Sequence, residues 1–350
     1  MSTFFLTFIF FYLQTNCSLK VRFNKQVMEK ILSPDGFDIW TLMSFMQKSI
    51  RRMKVDDALY AGSQLYHALP NLFWKRLSII VAEDADCLCA FKVLWCKKQS
   101  LKDNRYGLYY AMCAVYNVAI SYKTRDADYV CCCVDFDKSI YDYSWFMEYI
   151  DFYKTQNNKF IIDKILKNEN LTIQLKIIYI CLIVNHCLVN KDKNLRKIGL
   201  YYIKQVKNNM LRNEIMSLWK MTHAFKEKKI DILLVKSIIN YVKYNDEETN
   251  FLNDDKINYL EKEVFARMKN THKRYKDIPD YVFDCHTMVG KRKNKDKVDM
   301  VITELKELRP YGESIYSNYS WEDAFKNNIQ LTNKYKNLIK DNNKQLLNIC

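Results

Sequence analysis

Glycine is nearly missing from this chain. Six glycines and four prolines occur in 350 residues, where average usage would give about 25 and about 18. Glycine supplies the positive-φ positions of hairpin turns, bulges and phosphate loops, so a chain this poor in it has little means of building them. A turn-rich β fold is disfavoured. The six are Gly36, Gly62, Gly107, Gly199, Gly290 and Gly312, and the closest two are Gly290 and Gly312. Neither G-x-x-x-x-G-K-[ST] nor G-x-G-x-x-G can be written across such spacings, which excludes a P-loop ATPase and a Rossmann dehydrogenase.

Apolar residues recur instead at helical spacing. Ile39, Leu42, Met43, Met46 and Ile50 form one stripe, and Leu108, Ala111, Met112, Val115 and Ala119 form another. Further stripes run through Leu175, Ile178, Leu182 and Ile183, through Leu211, Ile215, Leu218 and Trp219, and through Ile230, Leu233, Leu234, Ile238 and Val242. The pattern predicts an all-α, multi-helix array with helix boundaries near 53–56, 69–72, 99–106 and 122–127. Ser33-Pro34-Asp35 and Asp56-Asp57 stand where they can cap first helical turns. Only Tyr129–Val134 reads as a long extended run, and no fixed-period repeat points to a solenoid.

Hydrophobic residues at 49% and charged residues at 27% give a globular balance. Lys and Arg number 55 against 40 Asp and Glu, a net charge of +15. Such a field suits polyanions, nucleic acid first and an anionic membrane surface second; the bland alternative is the Lys, Asn and Ile bias of an AT-rich genome. Of twelve cysteines, Cys87, Cys89, Cys96, Cys113, Cys181 and Cys187 sit in apolar company, and no C-x-x-C occurs. They read as reduced, buried thiols of an intracellular protein. Phe4–Leu13, followed by Gln14 to Ser18, pulls the other way, because it resembles a signal-peptide core. It is too short to span a bilayer, and the open choice is between a secreted protein and an extended or packed N-terminus.

Composition divides the chain into an N-terminal extension over 1–34, a first helical domain over 35–155, a Lys/Asn/Ile-rich second helical region over 156–325, and a polar tail or helix over 326–350. The second region contains a basic segment, 267–297. Within it Arg267, Lys269, Lys273, Arg274, Lys276, Lys291, Arg292, Lys293, Lys295 and Lys297 surround Tyr275 and Tyr281. Cations there neutralise phosphates and tyrosines stack on unpaired bases, unless Asp277, Asp280, Asp284, Asp296 and Asp299 make it an ordinary solvated face. Lys48, Arg51, Arg52, Lys75 and Arg76 extend the patch if the fold brings them alongside.

Residues 35–137 resemble the C-terminal helical domain of the MgsA, or replication-associated recombination protein A, family of AAA+ ATPases. Lys48-Ser49-Ile50-Arg51 matches that family's K-S-I-R helix end, and Asp57-Ala58-Leu59-Tyr60 is similar to its D-x-A-L-Y-W element. Arg76, Leu77, Ala82, Glu83 and Asp84 match its R-R-L-x-x-x-A-S-E-D block, although Ala85-Asp86 replaces the usual Ile-Gly. Ala114-Val115-Tyr116, Ala119 and Lys123-Thr124-Arg125-Asp126-Ala127-Asp128 are similar to its A-V-x-x-L-A-x-x-x-K-S-x-x-A-D segment. Asp280 to Thr287 with Gly290-Lys291-Arg292 resembles a D-x-H-T-x-x-G-[KR] block of standalone viral relatives. The resemblance implies a clamp-loader-like collar without its motor, which oligomerises or docks on a replication complex and leaves ATP hydrolysis to a separate AAA+ chain.

Three places carry candidate chemistry. Glu83-Asp84 is a carboxylate pair, but helix neighbours point about 100° apart, which favours pairing with Arg76 or Arg51 over metal binding. Asp135 and Asp137 after the Tyr129–Val134 run have the form of a phosphoryl-transfer D-x-D, which requires a strand. His286 beside Asp284 suits proton transfer or phosphate contact, as in a metal-dependent nuclease or phosphotransferase, or a structural hydrogen bond. The leading expectation is a non-catalytic DNA replication or repair accessory protein, a homo-oligomer with no cofactor, no metal and no stable membrane span. It contacts DNA through Lys48, Arg51, Arg52, Lys273, Arg274, Lys291, Arg292, Lys293 and Lys295. A secreted helical effector is the third expectation.

Overall fold

The structure, a computed structural model, describes residues 31–85, 88–134, 158–244, 262–268 and 278–295. The described residues are 76% helical and contain no strand, an all-α multi-helix array. The first group of helices is α1 (Ile39–Arg51), α2 (Val55–Ala68), α3 (Pro70–Asp84), α4 (Cys89–Lys102), α5 (Gly107–Ile120) and α6 (Asp126–Val134). The second is α7 (Asn158–Lys167), α8 (Ile173–Val189), α9 (Leu195–Gln205), α10 (Asn209–Met221), the short α11 (Ala224–Glu227) and α12 (Ile232–Tyr244). A helical stretch at 262–268, α13, precedes a 3-10 turn, Asp280–Val282, and the five-residue α14, Met288–Arg292. The Tyr129–Val134 run is helical, so the strand that a D-x-D reading needs is not there; Asp135 and Asp137 themselves lie outside the described residues.

The caps fall a few residues from their expected places. Asp38, not the Ser33–Asp35 group, caps α1, its Oδ1 accepting from Thr41 N at 2.9 Å. Ser33 Oγ instead accepts from Phe37 N in the preceding turn. Asp56 and Asp57 sit inside the first turn of α2, whose N-cap is Lys54, where their charge favours the helix dipole without a capping bond.

Scarce glycine shows in how helices end. A left-handed residue after the last turn lets the chain reverse, and glycine takes that conformation at little steric cost. Here Met53 (φ 55°), Lys191 (φ 57°), Lys228 (φ 59°) and Asn294 (φ 55°) take it instead. After Met53, Lys191 and Asn294 the closing bonds are Lys54 N to Ser49 O, Asp192 N to Cys187 O and Lys295 N to Gly290 O. Each such non-glycine position costs about 1–2 kcal/mol, met by the packing on either side.

Two large cores result. Ile39, Phe45, Met46, Leu59, Phe73, Leu77, Val93 and Val115 belong to the first, which also takes Leu218 of α10, Leu233 of α12, Val264 and Val282. Ile162, Ile178, Leu182, Leu195, Leu234 and Ile239 belong to the second, with Ala127 and Val130 of α6. Helix α12 therefore serves both, turning Leu233 to one side and Leu234 and Ile239 to the other. A small apolar cavity of about 70 Å³ remains in the second core, beside Gly199 and Trp219. No helix among the described residues is long and apolar enough to cross a membrane.

Candidate nucleic-acid interface

The residues that carry the sequence blocks gather inside the protein. Asp84, fully buried at the end of α3, accepts from Arg51 Nε at 2.7 Å, Arg125 Nη1 at 3.1 Å and Gln47 Nε2 at 3.0 Å. Burial alone raises an aspartate's pKa, yet the two guanidinium groups outweigh it and hold this one below its ordinary value. Glu83 accepts from Gln47, whose amide oxygen accepts from Arg76 in turn. Lys123 is buried after the end of α5, its Nζ donating to Val118 O at 2.6 Å, Ala119 O at 3.0 Å and Ser121 O at 2.7 Å. These are carbonyls that a helix end leaves without partners, and burial brings the ammonium pKa down to about 8. The carboxylate pair Glu83-Asp84 is thus committed to internal arginine and amide donors, and no metal-holding cluster occurs among the described residues.

The Asp280–Lys295 block is a second internal device. Lys48 Nζ lies 2.8 Å from Asp284 Oδ2 and donates to Val282 O, while Ser44 Oγ donates to the same carbonyl. Asp284 Oδ1 accepts from the backbone N of His286, and Thr287 Oγ1 donates to Asp284 O and accepts from Gly290 N, capping α14. A Cβ on Gly290 would stand 1.9 Å from Asp284 O, so only glycine permits this approach. The Asp, Thr and Gly of D-x-H-T-x-x-G thereby each have a positional job, and the His286 side chain is left exposed. The Asp284–His286 pair is not arranged as a catalytic dyad: the Asp284 carboxylate is held by Lys48 and meets His286 through its backbone.

Several cations expected on a DNA surface are consequently elsewhere. Lys48, Arg51 and Arg52 are buried, so they do not extend a surface patch. Arg52 and Lys54 instead lie over the Tyr281 ring, and Tyr281 Oη donates to Asp57 at 2.6 Å, so this half-buried tyrosine is already engaged from within the protein. Arg267 pairs with Asp56 and Glu263, and Lys293 and Lys295 both reach Asp280 at 2.7 Å. Lys291 and Arg292 are exposed. Lys269, Lys273, Arg274, Tyr275, Lys276 and Lys297 lie outside the described residues, as do the N-terminal apolar run and the C-terminal tail.

A positive surface that hydrophobic periodicity does not reveal belongs to the second group of helices. Residues 158–244 hold 17 Lys and Arg against 6 Asp and Glu. Tyr202 Oη binds α9 to α7 by donating to Lys159 O and Asp163 Oδ1 at 3.0 and 2.8 Å, and Lys159 Nζ sits 4.3 Å above the Tyr201 ring. Lys197, Tyr201 and Lys204 then fall at i, i+4 and i+7 on the exposed side of α9, with exposed Phe160 and Lys167 on α7. The spacing K-x-x-x-Y-x-x-K was readable as one helix face; its exposure needed Ile198, Tyr202 and Ile203 to be placed inward. Comparison of the chain with family models, with curated proteins and with solved structures finds no match.

Proposed function

We propose that this protein is a helical, non-enzymatic DNA-binding accessory of a replication or repair complex, contacting phosphates through the cationic face of α7 and α9. The observation that carries the reading is the row Lys197, Tyr201, Lys204: exposed cations flanking an exposed ring on a helix whose opposite side is packed. Counterion release from phosphates favours such a surface without any sequence-specific contact. The collar resemblance of residues 35–137 supports the accessory role, with assembly into an oligomer or onto a motor supplied by another chain. Fluorescence anisotropy with labelled DNA tests it: binding at about 50 mM salt, weakened in a Lys197→Ala/Lys204→Ala variant, is expected. No binding by the wild-type protein at that salt removes the DNA reading.

A further inference from the structure

A second surface is built differently. Helix α4 buries Cys89, Ala90, Val93 and Cys96 in the first core, and its opposite side shows Phe91 at 39% and Trp95 at 41% exposure. These rings are one helical turn apart. Trp95 is braced edge-on by Tyr110 at a centroid distance of 5.9 Å, and Tyr110 in turn by Tyr109 at 5.5 Å. Lys98 and Lys102 continue the same stripe at i+7 and i+11 from Phe91, and both are exposed. Past the helix end stand Arg105 and Tyr106, also exposed, with the Arg105 guanidinium bound to Asp103. From Ala90 to Tyr110 the chain has five cations and that single acid.

The start of the stripe is fixed from behind. Glu214, fully buried on α10, accepts from Ala90 N and from Phe91 N at 2.8 Å each, which caps α4 across the interface between helices. Phe91 is therefore attached to a rigid helix start, and the platform is preformed.

We infer that the α4 face binds single-stranded nucleic acid, with unpaired bases stacking on Phe91 and Trp95 and phosphates running past Lys98 and Lys102. This rests on the DNA-binding reading above and adds the strand type and the residues. Stacking on aromatic rings needs bases with a free face, which a duplex does not present. Phe91 and Trp95 are separated by about 6 Å along the axis at 1.5 Å per residue. That is nearly twice the spacing of about 3.4 Å between stacked bases in one strand of a duplex, so the platform fits splayed bases. A second copy of the chain is a poorer occupant, since an isologous contact brings this patch, with its five cations and one acid, against a copy of itself. A lipid surface is poorer too: the inward side of α4 is spent on the core, leaving two rings and Leu101 where an interfacial helix presents a continuous apolar face.

The test uses the full-length protein with a fluorescein-labelled oligo-dT strand, a duplex of equal length, and vesicles of phosphatidylcholine with phosphatidylserine. Trp95→Ala and Phe91→Ala, checked for unchanged thermal unfolding, are each expected to weaken oligo-dT binding by roughly 5- to 100-fold and duplex binding little. Trp95→Tyr should recover most of the loss. If the wild type binds both DNAs and Trp95→Ala binds oligo-dT equally well, the platform is wrong and the α7–α9 surface stands. If the wild type binds neither DNA, both proposals fall. Trp95-dependent binding to vesicles without oligo-dT binding, or a Trp95-dependent dimer by light scattering, overturns the inference in favour of those occupants.

Discussion

Lys48 on α1 and Asp284 before α14 meet at 2.8 Å, their side chains only 6% and 7% exposed. Taking two such charges from water is costly, and leaving one of them alone is costlier. Lys48→Met and Asp284→Leu are each expected to lower unfolding free energy by about 3–5 kcal/mol in urea titrations, and the double variant by clearly less than the sum. Additive losses would show that the pair is not a unit. Burial raises the Asp284 pKa, but the Lys48 ammonium more than reverses this and holds it below the ordinary 3.8. Its folded pKa is depressed, so this contribution is present above the ordinary aspartate range and is lost as pH falls through the folded value.

Gly290 contributes through closeness, since its φ is outside the left-handed region where only Gly36 lies among the described glycines. A methyl group there meets the carbonyl of Asp284, which is backbone and has no rotamer to give. Gly290→Ala is expected to cost about 1–3 kcal/mol and to raise hydrogen exchange at the Gly290 amide, which Thr287 Oγ1 now holds. A variant with wild-type stability and protection would show that the two turns are not in contact.

Left-handed helix ends offer the opposite experiment. Lys191 follows α8 at φ 57°, and its side chain is exposed. Replacing it by glycine removes a steric penalty of about 1–2 kcal/mol and adds back about 0.5–1 kcal/mol of chain entropy in the unfolded state. Lys191→Gly is therefore expected to stabilise, raising the denaturation midpoint; a lower midpoint refutes the strain. The neighbouring Lys193→Gly serves as the control and should not stabilise.

Helices were legible in this sequence because burial repeats along the chain. Ile39, Leu42, Met46 and Ile50 are all fully buried on one side of α1, and the boundaries near 53–56 and 69–72 overlap the breaks between α1 and α2 and between α2 and α3. Among charged residues the pairing of Arg51 with Asp84 was legible, but the destiny of most others was not. Lys48 and Lys98 look alike in sequence, yet one finds Asp284 from the far end of the chain while the other faces solvent. Such pairings depend on tertiary approach, to which periodicity is blind. Trp95 carried a readable signal, since Phe91-x-x-x-Trp95-x-x-Lys98-x-x-x-Lys102 lies opposite the buried Val93 and Cys96, but aromatic residues default to the core when only hydrophobicity is counted.

Glu214 gives the fold a pH response near neutrality. Burial pushes its carboxyl up to about 7, against the pull of the Phe91 and Ala90 amides and of Lys236 on α12. A folded pKa above the unfolded one means that the stabilisation is complete below about 4.5 and is lost as pH rises through about 7. The stability of the wild type relative to Glu214→Gln is thus expected to fall across that window, by on the order of 3 kcal/mol in total. Urea midpoints at closely spaced pH values measure it, and a difference that stays flat between these limits would mean that Glu214 does not titrate there.

Salt dependence separates the cationic face of α9 from non-specific attraction by net charge. Each phosphate neutralised on a duplex releases counterions and contributes roughly 0.9 to the slope of log affinity against log salt. Lys197 and Lys204 flank Tyr201 on the exposed side of α9, whereas Lys293 and Lys295 are held by Asp280 at 2.7 Å. Lys197→Ala/Lys204→Ala is expected to flatten the slope by nearly two, while Lys293→Ala/Lys295→Ala, with the same change in net charge, leaves it within about a half of wild type. Equal flattening by both variants would mean that the protein attracts DNA by its overall field and has no phosphate-contacting face on α9.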